Sequence, residues 1–358
     1  MLSDHLDADK NSFNLVRLWA ALSVLLSHAY PLVLGAGTSE PLGTFTPYTL
    51  GQHAVNVFFV ISGLMLARSL ARNPSIKEFA WARILRIFPG LLAFGVVFSF
   101  VFAPILTDWS LKTYFADSHT YLYPLSVLFQ FQAAIPPHGV FQSTPYGPFV
   151  NEPLWTIRYE LIAYFGLASI FATGLLRKRR DALIFLAAAL LFFLALEILS
   201  PHRPEEHTSI HQLARYGLCF MIGVVAFHLR SSIPVTPVLL PATVALVFLA
   251  RQTVFEAPAY FLLVAHISFV LAARDFGALT RWTRRNDISY GTYIYGWPTQ
   301  QAFIALAPGL SVLGLATLSI VTVPIAGWIS WRLIERPALR LKLARRAPPD
   351  MLPQSSDR

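Results

Sequence analysis

Polar and apolar positions along the chain do not alternate at the period of a half-buried strand or helix; apolar residues run in long blocks separated by short basic, polar or Pro-containing stretches. A block of about 20 apolar residues can cross a bilayer as a helix, which satisfies its own backbone hydrogen bonds. Such blocks fall near residues 13–34, 50–69, 88–107, 154–176, 182–199, 210–229, 234–250, 256–273, 288–307 and 312–333, the fifth and seventh being short. The pattern predicts an all-α fold, a polytopic transmembrane bundle of about 10 helices.

Composition agrees with that reading. The 358 residues are 55% hydrophobic and only 13% charged, against roughly a quarter charged in soluble domains, with mean hydropathy +0.54. The N-terminus, MLSDHLDADK, is acidic and the first apolar run shows no small-x-small cleavage site, so that run is expected to be a retained span. One cysteine, Cys219, permits no intramolecular disulfide, and no Cys/His spacing of the zinc type appears, so no metal is expected.

Charge sets the expected orientation. With the N-terminus inside, 22 of the Lys and Arg residues fall in inner segments, three fall outside (Lys112, Arg203, Arg251), and three stand within spans (Arg17, Arg158, Arg215). This asymmetry predicts cytoplasmic termini and a multi-pass inner-membrane location. It also explains the basic pI without nucleic acid. The layout expected is an arm over 1–12, a membrane domain over 13–340, and a disordered basic tail over 341–358. The largest outer segment, 108–153, is rich in Tyr and Phe, which suits an interfacial belt, a sugar-stacking surface or both.

Charged groups inside a membrane normally have a partner or a function. In NLVRLWAALSVLLSHAYPL, Arg17 is near enough to one end of the first helix to snorkel to the interface. His28 stands eleven residues later. At about 100° per residue both side chains share one helix face, separated by roughly 16 Å of rise. A polar stripe of this kind looks into the bundle or a wet cavity. The helix beginning NEPLWTIRYELIAYF carries Trp155, Arg158 and Glu160 near its outer end, at a depth expected to match His28. Arg158 and Glu160 point to different sides, so at least one needs a partner elsewhere. A carboxylate beside an imidazole can fix its tautomer for general-base catalysis.

Arg83 and Arg86, spaced i, i+3 in KEFAWARILRIFPGLL, can present two guanidinium forks to a phosphate, or can simply mark the cytoplasmic side. His53 and Asn56 are polar points near the outer end of the second span, while Ser62 and Gly63 suit close helix packing.

The Arg17 and His28 pair, FFVISG (58–63), RILRIFP (83–89), LWTIRYE (154–160), ISYGTYIYGWP (288–298) and LIERP (333–337), in this order, resemble the acyltransferase-3 family of integral membrane acyltransferases. The resemblance spans residues 13 to about 340 and is to the stand-alone form, without a fused extracytoplasmic esterase-like domain. Many members carry Val-Glu-Glu where this chain reads Arg-Tyr-Glu, leaving Glu160 as the carboxylate there. The resemblance implies transfer of an acyl group, commonly acetyl from acetyl-CoA, to a hydroxyl of an envelope glycan, exopolysaccharide or lipid-linked sugar. Acyl-CoA would be a co-substrate, with no bound cofactor. Arg17, Arg83 and Arg86 would hold its phosphates, and His28, oriented by Glu160, would serve the acceptor, either as a base or through an acyl-His28 intermediate. His53, Asn56, Trp155, Arg158 and Tyr290 are candidate acceptor-side or supporting residues. The alternatives are a transporter or flippase of a lipid-linked sugar and, with no task for His28 and Glu160, a membrane scaffold or sensor.

Overall fold

The computed structural model describes residues 1–6, 11–131, 133–176, 178–200 and 208–344. Each of the ten apolar blocks contains a helix, named here α1 (Phe13–Leu34), α2 (Leu50–Arg72), α3 (Ile76–Val97), α4 (Trp155–Ala172), α5 (Arg179–Leu199), α6 (Ser209–His228), α7 (Leu240–Ala250), α8 (Glu256–Ala272), α9 (Ser289–Leu306) and α10 (Val312–Ser330). Among the described residues there is no strand, only an isolated bridge between Thr107 and Val140. The all-α expectation holds.

Six helical runs are long and apolar enough to cross a membrane: Phe13–Leu34, Leu50–Arg72, Ile76–Leu106, Arg179–Leu199, Ser209–His228 and Val312–Leu341. The stretches Pro237–Ala250 and Glu256–Ala272 are apolar but shorter. α4 and α9 carry the polar motifs, which dilute their hydropathy.

Element ends follow local chemistry. Thr49 caps α2 in a capping box: its hydroxyl accepts from Gln52 N at 3.2 Å, while its own N–H donates to Gln52 Oε1 at 2.9 Å. Ser75 caps α3 and Ser311 caps α10 in the same N-terminal role. α3 starts at Ile76 rather than near 88, so RILRIFP lies inside the helix. Pro89 is absorbed there, and the helix continues through a π-turn at Phe98–Phe102 to Leu106. At the other end of the chain, a π-turn at Trp331–Glu335 extends α10 into a helix over Arg336–Ala344. Residues 341–344 of the expected tail are therefore helical, and the rest of it lies outside the described residues.

α2 and α6 form the closest crossing in the bundle. A Cβ on Gly63 would collide with the backbone carbonyl of Phe220, and one on Gly223 with that of Val60. Two glycines facing each other's backbones are the small-residue packing expected between membrane helices. The N-terminal arm docks on the end where these helices return: Leu2 N donates to Ile233 O and Ser3 N to Arg230 O, both at 2.9 Å, with Leu2 and Leu6 buried. Ser12 ties the start of α1 to Arg274 O and Thr280 Oγ1 at 2.6 and 2.7 Å. At the opposite end, the outer segment is stitched to α9 by Asn151 Nδ2 on Ile294 O at 2.6 Å and Trp297 Nε1 on Phe149 O at 3.0 Å.

Candidate active site

Two cavities lie back to back within the bundle. The smaller, about 50 Å³ and called inner here after the orientation expected from charge, is lined by Arg17 of α1, Phe58 and Ser62 of α2, Arg86 of α3, Glu160 of α4 and Tyr290 of α9, among others. Arg86 is buried and held on both sides: Nη2 donates to Asp287 Oδ2 at 2.7 Å and Nη1 to Glu335 Oε2 at 3.2 Å. Arg17 Nη1 donates to the same Asp287 oxygen at 3.1 Å. The guanidinium of Arg86 also faces the rings of Tyr290 and Trp331, at 5.6 and 5.8 Å. Burial alone would push the Asp287 carboxyl up; Arg86, Arg17 and a 2.7 Å hydrogen bond from Ser289 overcome it and hold the group below the ordinary aspartate range.

Glu160 accepts from the Tyr164 hydroxyl one turn further along α4. Arg83 stands over the same Tyr164 ring at 5.9 Å, and its Nε is buried without a hydrogen-bond partner. Arg83 and Arg86 thus share a helix but not a setting. Arg86 is locked between carboxylates, and Arg83 flanks the Glu160 and Tyr164 pair.

The outer cavity, about 790 Å³, takes His28 into its wall. The imidazole packs edge-on against Trp297 at 4.9 Å, and Tyr146 also packs edge-on against that indole at 4.8 Å. His28 Nδ1 is buried and has no hydrogen-bond partner among the described residues. Four glutamates line this cavity, Glu40, Glu152, Glu197 and Glu256, and among the described residues no lysine or arginine does. Glu40 is spent on the entry to α2, accepting from the backbone of Leu42 and Leu50. Glu152 accepts from Tyr146, and burial pushes its carboxyl up.

Val55, Thr156 and Tyr293 line both cavities and form the partition between them. The Tyr293 hydroxyl donates to Pro153 O at 3.0 Å and shares a 2.6 Å hydrogen bond with Thr156. Phe58 packs edge-on to the Tyr293 ring at 5.8 Å.

Arg17, Arg86, Glu160 and Tyr290 are therefore gathered at the inner cavity, while His28 and Trp155 face the outer one. His28 and Glu160 line different cavities, and no hydrogen bond joins them among the described residues. Asn56 is fully buried and accepts from Arg215 Nε at 2.9 Å; Arg215 also donates to Gln52 O at 2.7 Å and lies 3.9 Å over the Tyr48 ring. His53 pairs with Thr46 at 3.1 Å beside Tyr48 and Tyr260. Arg158 is exposed, away from both cavities. Of the outer aromatics, Tyr114, Tyr123 and Phe141 are buried against Phe98 and Ser99 of the π-turn after α3, and Tyr146 reaches the cavity.

Sequence reasoning missed Asp287 and Glu335, the two carboxylates that fix the arginines. Both carried a signal. Asp287 directly precedes ISYG, and Glu335 stands inside LIERP, where the surrounding basic residues drew attention to orientation instead.

Fold and site together define an integral membrane protein with polar groups held in two cavities inside a helical bundle. The chain matches the family described as the acyltransferase domain over residues 10–331, and it belongs to that acyltransferase-3 family. It is an acyltransferase, which sets aside the transport and scaffold readings. It is 31% identical to an O-acetyl transferase of Shigella phage Sf6, over 91% of this chain and 95% of the relative. It is 27% identical to nodulation protein 10 of Rhizobium leguminosarum bv. viciae, over 95% and 96% of the two chains. No solved structure matches it.

Proposed function

We propose that the enzyme moves an acetyl group from cytoplasmic acetyl-CoA to a hydroxyl of an envelope sugar, and that the group crosses at the Tyr293 partition. The observation that carries this reading is the pair of cavities sharing one wall, with arginines on one side and His28 on the other. The name of the phage relative supports acetyl as the group transferred. The small inner cavity also suits a short acyl terminus better than a long chain. Arg17, whose side chain is 22% exposed, is free enough to meet a phosphate of the donor. Arg86 shapes the cavity while Arg83 stands over the Tyr164 ring that pairs with Glu160. In the outer cavity, aromatic faces and carboxylates without opposing cations suit a neutral sugar, including a lipid-linked one. The basic-residue asymmetry supports ten spans, both termini cytoplasmic, and the inner membrane as the location.

His28 takes the acceptor hydroxyl proton on a ring nitrogen, and the oxygen attacks the thioester carbonyl. The new C–O bond forms as C–S breaks, the CoA thiolate leaves on the inner side, and the imidazolium then gives up its proton. Trp297 fixes the ring, so a base without a hydrogen-bonded carboxylate partner still keeps one orientation. Glu160 serves the donor side through Tyr164 and Arg83.

The test is transfer of labelled acetyl from acetyl-CoA to neutral sugar acceptors by reconstituted protein. His28→Ala is expected to lower kcat by about 10²-fold or more, and Arg17→Ala to raise the KM for acetyl-CoA with a smaller change in kcat. Transfer by His28→Ala at the wild-type rate would refute the assignment.

A further inference from the structure

The outer segment holds a cluster of ligating side chains that the transfer chemistry does not use. Asp117, His119 and His138 each offer one ligand atom, and these atoms lie within 4.8 Å of one another. The surrounding backbone is built to bring them together. Thr107 bridges to Val140, and Asp108 N donates to Gly139 O at 2.8 Å. Gly139 adopts φ +79°, and a Cβ there would stand 2.9 Å from the Trp109 ring, so the turn is pressed onto that indole. Trp109 in turn supports the His138 ring at 5.5 Å. The turn delivers His138 to the start of the helix Ser118–Leu128, where Asp117 is the cap and its Oδ1 accepts from His119 N at 3.2 Å.

At that junction His138 Nε2 lies 2.8 Å from His119 Nδ1, and His138 Nδ1 lies 2.8 Å from Asp117 Oδ2. Asp117 Oδ2 is buried and, although His138 Nδ1 stands 2.8 Å away, it accepts no hydrogen bond among the described residues. The two rings share a hydrogen bond, but the buried carboxylate oxygen beside them has none, so the cluster is incompletely satisfied by hydrogen bonds alone. As a metal-ligand set, two imidazoles and one carboxylate contribute a single negative charge. Nitrogen and oxygen donors of this kind suit a divalent transition metal, zinc above all. Both histidines are exposed, which leaves an entry path and a side open to water.

We propose that Asp117, His119 and His138 bind a Zn²⁺ ion that clamps the 138–140 turn to the Ser118–Leu128 helix. The ion is a staple in the segment that goes on to supply Tyr146 and Glu152 to the outer cavity, and it takes no part in the transfer step.

The experiment uses the full chain purified without a polyhistidine tag, stripped with EDTA and titrated with ZnCl₂ against a chromophoric chelator, with bound metal counted by mass spectrometry. One equivalent per chain is expected. The His119→Ala/His138→Ala double variant should lose it, Asp117→Asn, which keeps a helix-capping side chain, should weaken it by roughly tenfold or more, and His28→Ala should retain it. Thermal unfolding of the stripped proteins checks that each variant is folded, and Co²⁺ substitution gives an absorption band that reports the ligand set. Failure of the wild type to hold zinc, or an equivalent that survives in the folded double variant, would overturn the proposal. Neither outcome bears on acyl transfer, which is read separately.

Discussion

Asp287 is a single residue on which two arginines depend. Its Oδ2 receives both Arg86 and Arg17, and Ser289 holds the other oxygen. Removing one partner of a buried ion pair leaves an uncompensated charge, typically at a cost of about 3–5 kcal/mol. Asp287→Asn is therefore expected to lower the midpoint of thermal unfolding in detergent strongly and to raise the KM for the acyl donor, because Arg17 loses its anchor. The pH dependence has a definite sign. A carboxyl held below its unfolded value stabilises the protein above the ordinary aspartate pKa, and that contribution is lost as pH falls through the lowered folded value. Unfolding scans across acidic pH should accordingly show wild type and Asp287→Asn converging at the low end; a constant gap would contradict the assignment. Arg17 and His28 were legible in the sequence because charge in an apolar run is conspicuous. Asp287 was not, since an acid in a polar loop beside several arginines looks like an ordinary solvated residue until the fold shows what it faces.

Among the elements, α2 and α6 are placed by contact between backbones. Gly63 and Gly223 each lack a side chain where the other helix's carbonyl passes, so even a methyl group has no room. Overpacking of this kind costs about 1–3 kcal/mol. Gly63→Ala is expected to lower the unfolding midpoint and to reduce transfer, since α2 carries Val55 and Phe58 beside the partition; unchanged stability and activity would show that the crossing can give way. The helical runs themselves were readable from apolar block length alone. Their ends were not. Ile76 to Phe88 is too charged to resemble a membrane segment, yet it is continuous helix with α3 because Ser75 supplies a cap and no residue before Pro89 interrupts the ladder. The same limit hid the mutual placement of α4 and α9. Depth along one helix suggested that His28 and Glu160 would meet, whereas Glu160 lines the cavity of Arg17 and His28 lines the other, with Tyr293 in the wall between.

For the whole molecule, the distribution of basic residues predicts a definite sidedness. A Ser355→Cys probe in a Cys219→Ser background should react with a membrane-impermeant maleimide only after the cells are permeabilised; labelling of intact cells would reverse the orientation. The N-terminal arm meets Arg230 and Ile233 at one end of the bundle, and the 144–154 stretch meets α9 at the other. The cavities were not legible in the sequence, because their walls draw single residues from helices far apart in the chain. The partition of Val55, Thr156 and Tyr293 has a consequence for the cell's energetics. A bundle hollowed from both faces would short-circuit the proton-motive force if its halves joined. Under the proposed function, one hydrogen-bonded phenol and its neighbours would be the seal, letting chemical modification pass through the membrane while the ion gradients on which the cell runs do not.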